Sequence, residues 1–178
     1  GGGERARLRF LPPERWQSAD MRAWDEGDVS AFLDRAEGCL VRASERVRMG
    51  GVTLVRKERS VGVVPTRGST TYEMLEEVAL TAQAELAGED LPFCAFNGGN
   101  DVFVDVGNKN IGLKALMGFH GVAGAETLHV GDRFTVTGND NEVRSACSIL
   151  WVANPTETAF FVSTLLRDLE AADAPGAR

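Results

Sequence analysis

The first regular pattern along the chain is a helical one. Apolar residues three and four positions apart recur after Asp28, namely Val29, Phe32, Leu33, Ala36 and Leu40. This spacing predicts a helix that is capped by Asp28 and ends near Arg48, before Gly50-Gly51. A second pattern of the same kind predicts a helix from Ser69–Thr71 to about Gly88.

Two short apolar runs between these helices are typical of β-strands, Val52–Arg56 and Ser60–Pro65. The charged residues 57–59 between the runs predict a hairpin turn. Helix, hairpin and helix together indicate part of an α+β unit over residues 28–91, which would cover a site as a cap. Residues 1–27 show no regular pattern and are predicted to be irregular.

From Pro92 onward, short apolar runs alternate with helical segments. Strands are predicted at four places, Phe93–Phe96, Val102–Val106, Thr127–Val130 and Ser148–Val152. Helices are predicted from Asn110 and, with Thr156 as cap, after the last strand. Alternating strands and helices are typical of a parallel sheet of Rossmann type. We therefore expect a second domain over residues 92–170, followed by a frayed tail over residues 171–178.

Polar residues follow three of the predicted strands, Asn97, Asp132 and Asn154. In parallel α/β sheets, ligands bind beyond the carboxyl ends of the strands. We therefore expect the ends of the strands at 93–96, 127–130 and 148–152 to meet at one pocket.

The strongest candidate for chemistry is His129-Val130-Gly131-Asp132, followed by Gly138-Asn139-Asp140. A strand that ends in Gly-Asp, with Asn-Asp shortly after, places carboxylates on a loop above the sheet. Asp132 is a hard oxygen ligand of the kind that Mg²⁺ prefers, and Asp140 is the second candidate metal ligand. A Gly-Asp pair alone is more typical of a structural turn, and the later Asn-Asp favours the metal interpretation.

Three further polar residues precede this motif. Lys109 lies where a strand gives way to a helix, where it is either a positive charge for a phosphate or a solvated surface lysine. Asp105 lies among valines, where a carboxylate is costly without a partner, so it has either a functional or a hydrogen-bonding role. Asp101 follows Gly98-Gly99-Asn100 and is either a site residue or an ordinary loop residue.

Composition and charge narrow the possible partners. The 178 residues carry a formal net charge of −7, which excludes a long nucleic-acid backbone as the favoured partner but allows a small anionic ligand. The three cysteines have no metal or disulfide spacing, which favours buried thiols in a reducing cytoplasm. No apolar run approaches the roughly 20 residues of a membrane span. The basic residues of 56–59 indicate a solvated turn or, on a cap, a surface that faces an anionic substrate.

Several of these segments resemble one known family. The stretch from Phe93 to Lys109 is similar to IMP-specific 5'-nucleotidases, which belong to the haloacid dehalogenase superfamily. So are His129–Phe134, Trp151–Thr158 and Arg56–Pro65, and the resemblance covers roughly residues 10–170. It implies a Rossmann-like core with a cap domain, dependence on Mg²⁺, and hydrolysis of IMP to inosine and phosphate. It also implies ATP as an activator and assembly into a homo-oligomer.

The resemblance also assigns roles to individual residues. Asp132 corresponds to the family's Mg²⁺ ligand, and Lys109 to its phosphate-side lysine. Asp101 corresponds to a residue that contacts IMP. Asp105, Asn139 and Asp140 correspond to positions near the site with less defined roles. The residues expected to bind substrate are Asn97, Asp101, Asp105 and Lys109. The fold class expected is α/β, with a partial Rossmann-like core and part of an α+β cap.

One part of the family's machinery is missing from the sequence. Phosphatases of this superfamily carry an Asp-x-Asp pair after an N-terminal strand, and this chain contains none. We therefore expect a fragment or truncated gene product that is inactive alone. Two alternatives are a phosphatase for another phosphate monoester and a non-catalytic remnant that assembles with a complete subunit.

Overall fold

The structure, a computed structural model, describes residues 12–66 and 70–172. Among these residues, the helices are α1 (Ala19–Arg22), α2 (Glu26–Arg46), α3 (Tyr72–Glu85), α4 (Lys109–His120) and α5 (Pro155–Ala172). The strands are β1 (Val52–Lys57), β2 (Ser60–Pro65), β3 (Phe93–Asn97), β4 (Val102–Val106), β5 (Leu128–Gly131) and β6 (Ser148–Trp151). Short 3-10 turns cover Pro13–Arg15, Gly124–Glu126 and Asn141–Ser145. Parts of the segments predicted to be irregular or frayed lie outside the described residues, as does Ser69. Where these segments are described, the prediction is wrong in part, because α1 and the start of α2 lie before residue 28 and α5 continues to Ala172.

The predicted helices and strands are all present, but two helix caps differ from the prediction. Asp25, rather than Asp28, caps α2, because its carboxylate accepts hydrogen bonds from two backbone amides, at 2.8 and 3.1 Å. Asn154, rather than Thr156, caps α5, because its side chain accepts a backbone amide of the first turn at 3.0 Å. Both caps lie just before the positions that apolar periodicity predicts.

The larger sheet is antiparallel, and its strand order is β1-β2-β4-β3. Helices α2 and α3 pack against each other and against this sheet. The core lies between them, and its most deeply buried side chains include Phe32, Leu33, Leu40, Val61, Val63, Val78, Val102 and Val104. Because side chains alternate along a strand, Phe103 and Asp105 of β4 lie on the opposite face from these valines.

The smaller sheet consists of β5 and β6, which pair in parallel. The predicted parallel arrangement is therefore confirmed for these two strands. It is wrong for the strands at 93–96 and 102–106, which form a hairpin in the antiparallel sheet. Residues 98–101 are too short a connection for a parallel crossover, which needs about a dozen residues or more. The change of sheet thus comes after Val106 rather than at Pro92, while the division into cap and core domains stays a prediction.

Helix α5 exposes large apolar side chains, Phe160, Phe161, Leu165, Leu166 and Leu169.

None of the helices in residues 12–66 and 70–172 is long and apolar enough to cross a membrane. Cys39, Cys94 and Cys147 are free thiols, and the predicted burial is confirmed for Cys39, whereas Cys94 and Cys147 are only partly buried.

Candidate active site

The carboxylate of Asp140 is at the centre of the residues that the sequence singled out. Asp140 is 1% exposed. Its Oδ1 accepts a hydrogen bond from the ammonium of Lys109 and lies 2.7 Å from Nε2 of His129. Its Oδ2 accepts the backbone amides of Asp132, at 3.2 Å, and Arg133, at 2.9 Å. Four partners thus occupy the acceptor positions of one buried carboxylate.

Opposing effects act on the pKa of Asp140. Burial is the largest and raises it, but the hydrogen bonds from Lys109, the Arg133 amide and His129 lower it, as does the charge of Lys109. Together these bonds hold the pKa of Asp140 below its ordinary value of 3.8. Asp140 is therefore ionised at neutral pH and forms a true ion pair with Lys109.

Lys109 is the first residue of α4. Helix α4 begins there because the side chain of Asn108 accepts the backbone amide of Ile111 at 3.0 Å. Besides its bond to Asp140, the ammonium donates to Oδ1 of Asn139 at 3.1 Å. The Lys109 side chain is still 41% exposed. A fixed and accessible ammonium is suited to contact a phosphate oxygen.

Gly131 allows the close approach of Asp140 to the backbone. A Cβ at this position would lie 2.5 Å from Oδ2 of Asp140. Any other residue would therefore push away the carboxylate that receives the amides of Asp132 and Arg133. The glycine of the Gly-Asp pair is needed for packing as well as for the turn.

Asp132 follows β5 and has the opposite environment from Asp140. Its side chain is 57% exposed, and its carbonyl oxygen accepts the indole N–H of Trp151 at 3.1 Å. Asp132 and Asn154 line one cavity of about 520 Å³ at the ends of β5 and β6, beside the start of α5. The prediction that these two strand ends meet at a pocket is therefore confirmed.

The end of β3 contacts the loop that follows Asp132, although β3 is not part of the parallel sheet. The backbone amide of Asn97 donates to the carbonyl oxygen of Thr137 at 2.9 Å, and Arg133 donates to the carbonyl oxygen of Gly98 at 3.2 Å. Asn97 is 1% exposed and does not line the cavity of Asp132. The convergence of all three strand ends on one pocket is therefore wrong, because β3 belongs to the antiparallel sheet.

Asp101 closes the turn between β3 and β4. Its carbonyl oxygen accepts the amide of Gly98 at 2.9 Å, and the backbone of Gly99 has a φ of +95°. A Cβ on Gly99 would also overlap the guanidinium of Arg133. Glycine is thus required in this turn for both its conformation and the contact with Arg133.

Asp105 lies on the open face of the antiparallel sheet. Its carboxylate accepts a hydrogen bond from the hydroxyl of Ser60 at 2.5 Å. Burial raises the pKa of Asp105, and the bond from Ser60 and the charge of Lys57 oppose that rise only in part. Burial and the charge of Asp105 also raise the pKa of the neighbouring Cys94 thiol to about 12, while Lys109 lowers it. Asp105 thus has the hydrogen-bonding partner that its position among valines requires.

The basic residues of the β1–β2 turn have acidic partners on α2. Arg56 pairs with Asp34 at 2.8 Å and with Glu37 at 3.3 Å, and Arg59 pairs with Glu26. These contacts favour the interpretation of a structural turn over that of a substrate-facing surface.

The sequence reasoning gave no role to three residues that hold the site together, Glu76, Arg133 and Thr137. Arg133 directly follows the Gly-Asp pair, which was a usable signal. Glu76 lies on a helix and Thr137 in a loop, and neither has a pattern that distinguishes it from surface residues. His129, the first residue of the predicted motif, holds Asp140 through the 2.7 Å contact of its Nε2.

With this geometry established, comparison with known proteins identifies the family. The family model of IMP-specific 5'-nucleotidases matches residues 3–162. The chain belongs to the IMP-specific 5'-nucleotidase family. It is 38% identical over 171 residues to the Yarrowia lipolytica IMP-specific 5'-nucleotidase 1, covering 92% of this chain and 40% of that protein. It is 40% identical over 166 residues to the Aspergillus fumigatus enzyme, covering 89% of this chain and 37% of that protein. The chain thus spans about 40% of the length of these curated relatives.

Solved structures from the same family have the same fold. An IMP-bound mutant of Plasmodium falciparum IMP-nucleotidase matches with a TM-score of 0.77 at 33% identity, covering 88% of this chain and 42% of that one. An ATP-bound structure of the same protein matches with a TM-score of 0.67 at 34% identity, covering 83% and 35%. The predicted fold class is confirmed, a mixed α/β fold with part of a haloacid-dehalogenase-like core and an antiparallel α+β unit.

The family resemblance implies Mg²⁺, and the residues at the site fit this ion in part. Within the described residues, no three or more His, Cys, Asp or Glu side chains are grouped to hold a metal. Mg²⁺, however, commonly takes only one or two carboxylates and completes its shell with water and phosphate oxygens. The exposed carboxylate of Asp132 beside a cavity meets that requirement, whereas the oxygens of Asp140 already have partners.

Proposed function

We propose that this chain forms part of an enzyme that hydrolyses IMP to inosine and phosphate in the presence of Mg²⁺. The observation that carries the proposal is the connection of Lys109 and the Asp132 loop through the buried Asp140, in a chain of this family. This arrangement brings a fixed positive charge near an exposed carboxylate. Phosphoryl transfer depends mainly on positioning and on positive charge around the transferred group.

In this proposal, Lys109 binds a phosphate oxygen of the substrate. Asp140 and Asn139 fix the position of its ammonium before substrate arrives, so little side-chain entropy is lost on binding. Because Asp140 is ionised, its carboxylate forms an ion pair with the Lys109 ammonium that holds the ammonium in place.

Asp132 is the residue that would hold Mg²⁺, which when bound stabilises negative charge on phosphate oxygens. The backbone amide of Asp132 donates to Asp140, and its carbonyl oxygen accepts from Trp151, so both sides of its peptide unit are held. Asp140, earlier the second candidate ligand, orients Lys109 and the Asp132 loop instead.

Asp101 and Asp105 are proposed to contact the nucleoside part of the substrate. Asp101 directly precedes β4 and Asp105 lies within it, and β4 ends three residues before Lys109. Asn97 is buried and holds the turn of Asp101, so its contribution to substrate binding is indirect.

The attack on phosphorus needs groups that this sequence lacks. It contains no Asp-x-Asp pair to supply a nucleophile and a proton donor for the ribose oxygen. The residues of this chain therefore bind and orient the phosphate, and the bond-breaking step requires a segment of the type found elsewhere in the superfamily.

A chimera tests the proposal directly. Residues 3–162 of this chain replace the matched part of the Aspergillus fumigatus relative, and phosphate release from IMP is measured with and without Mg²⁺. We expect Mg²⁺-dependent release from IMP that Lys109→Ala lowers at least about a hundredfold. The matched control is Lys114→Ala, an exposed lysine on the same helix.

Two outcomes would contradict the proposal. Faster release from a sugar phosphate than from IMP would favour the alternative of another phosphate monoester. A folded chimera without phosphatase activity would favour a non-catalytic remnant.

The remaining expectations concern regulation and assembly. The ATP-bound Plasmodium structure supports the proposal that ATP binds the complete protein, and the role of ATP as an activator is proposed from the family resemblance. Assembly into a homo-oligomer and a cytoplasmic location are proposed from the family resemblance and from the free thiols. Measuring the molar mass of the chimera in solution with and without ATP tests the first two.

A further inference from the structure

Glu76 of α3 joins two segments that are distant in sequence. One of its carboxylate oxygens, Oε2, accepts the side-chain amide of Asn97 at 3.1 Å and the hydroxyl of Thr137 at 2.6 Å. Both donors are neutral and 1% exposed. A single carboxylate oxygen thus connects the end of β3 with the loop that carries Asp140.

Further hydrogen bonds connect the same two segments. The backbone amide of Asn97 donates to the carbonyl oxygen of Thr137 at 2.9 Å. The side chain of Gln83, also on α3, donates to the carbonyl oxygen of Val136 at 3.4 Å. The Glu76 bonds are the ones made by a charged acceptor, and charge-assisted hydrogen bonds are the stronger kind.

Each partner of Glu76 also shapes a segment of the candidate site. Oδ1 of Asn97 accepts the amide of Gly99 at 2.8 Å, which holds the turn that ends at Asp101. Thr137 lies three residues before Asp140, in the loop that folds back on the Asp132 amide. A displacement of Glu76 would therefore move both the turn that ends at Asp101 and the loop that carries Asp140.

We infer that Glu76 is a positioning residue, which sets the place of the Asp101 turn relative to the Asp140–Lys109 ion pair. It holds the Asp101 turn and the Asp140–Lys109 ion pair in fixed positions relative to each other, and it does not touch the substrate. The kinetic part of this inference rests on the proposed function, and the structural part does not.

Three substitutions separate a positioning role from a general effect on folding. Glu76→Ala removes the shared acceptor and leaves two buried donors without it. Glu76→Gln keeps an acceptor oxygen on a side chain of the same length. Glu77→Ala is the matched control, because Glu77 is on the same helix, is 60% exposed, and is 3.9 Å from its partner Arg46.

Hydrogen exchange on the purified chain tests the connection without any activity. In Glu76→Ala, we expect the amides of Asn97 and Gly99 to exchange about tenfold faster, while amides of the β1–β2 pair keep their rates. Glu76→Gln is expected to stay within about threefold of the original chain, and Glu77→Ala to leave all rates unchanged. Equal acceleration across the whole sheet, or no acceleration at Asn97 and Gly99, would overturn the inference.

Kinetics of the chimera test the consequence for the site. We expect Glu76→Ala to raise the KM for IMP and lower kcat, each by about tenfold, at a temperature well below its melting point. Glu76→Gln should restore most of both, and a purely structural role would lower the melting temperature alone. If the unsubstituted chimera released no phosphate from IMP, the proposed function would fail, and the exchange rates would still decide the role of Glu76.

Discussion

The ammonium of Lys109 and the carboxylate of Asp140 form an ion pair between a half-exposed residue and a buried one. Asp140 is 1% exposed and Lys109 is 41% exposed, although 31 positions separate them in the chain. The buried partner fixes the geometry, and the exposed partner can meet a ligand. This asymmetry distinguishes the pair from that of Arg42 with Glu85, in which the side chains are 65% and 41% exposed.

The first prediction concerns the buried member of that pair. We expect Asp140→Asn to lower the free energy of unfolding by about 3 kcal/mol, because Lys109 and His129 lose a charged partner. The pKa of Asp140 is depressed in the folded chain, so its stabilisation is present above pH 3.8 and is lost as the pH falls through the folded pKa. Urea unfolding at several pH values measures the difference. A difference that stayed constant down to pH 2 would contradict the ionised state of Asp140.

The second prediction concerns Gly131. We expect Gly131→Ala to destabilise the chain by about 2 kcal/mol, because the new Cβ would lie 2.5 Å from the Asp140 carboxylate. Gly112→Ala is the matched control, since no atom lies within 4 Å of a Cβ there. Gly112 is inside α4, so the control should gain about 0.5–1 kcal/mol. Denaturant titration measures the free energy of unfolding of both variants. Equal changes in the two variants would contradict the packing role of Gly131.

The third prediction concerns the metal. In the chimera, we expect Asp132→Asn to raise the Mg²⁺ concentration needed for half-maximal phosphate release by at least about tenfold, because an amide is a poorer ligand for a hard cation. Asp168→Asn, on the exposed surface of α5, serves as control and should change nothing. Unchanged Mg²⁺ dependence in the Asp132 variant would remove that residue from the site.

The fourth prediction concerns Asp105. Burial raises its pKa, so the ionised form is disfavoured in the folded chain at neutral pH. We therefore expect Asp105→Asn to stabilise the chain at pH 7, and the gain to shrink as the pH falls and Asp105 takes up its proton. The hydroxyl of Ser60 can still donate to the amide oxygen. Thermal unfolding at pH 7 and at pH 4 compares the stability of the variant with that of the original chain. A variant less stable than the original chain at pH 7 would contradict the prediction.

The fifth prediction is that the purified chain alone releases no phosphate from IMP, even with excess Mg²⁺. Lys109 and Asp132 supply positive charge and a metal ligand, but neither can attack phosphorus or protonate the ribose oxygen. Phosphate release is measured against buffer. Steady turnover that Lys109→Ala abolishes would show that the chain contains a nucleophile not recognised here.

Local patterns in the sequence predicted the local structure well. Each predicted helix and strand is present, because apolar spacing and turn residues act over a few neighbours. The assignment of β3 and β4 to a parallel sheet was wrong, since alternation of strands and helices does not specify which strands pair. The short connection at residues 98–101 was the available signal for a hairpin.

The sequence identified several residues of the candidate site but not the contacts between them. The contact of Lys109 with Asp140 was not predicted, because the sequence indicated a phosphate contact for Lys109 and a metal for Asp140. The connecting roles of Glu76 and Thr137 depend on side chains that meet only when α3 packs on β3. Such long-range contacts leave no periodic pattern in a single sequence.

Strand β4 also separates two of the residues that are proposed to bind substrate. Asp101 precedes the strand, Lys109 follows it by three residues, and the five-residue strand between them is about 13 Å long. In the proposed function, a molecule that contacts both residues extends along β4, so the length of the strand limits which ligands can do so. Lengthening β4 by two residues would keep the alternation of its faces and move the two ends apart by about 7 Å. Selection by length would thus follow from backbone extension, independently of the side chains that recognise the ligand.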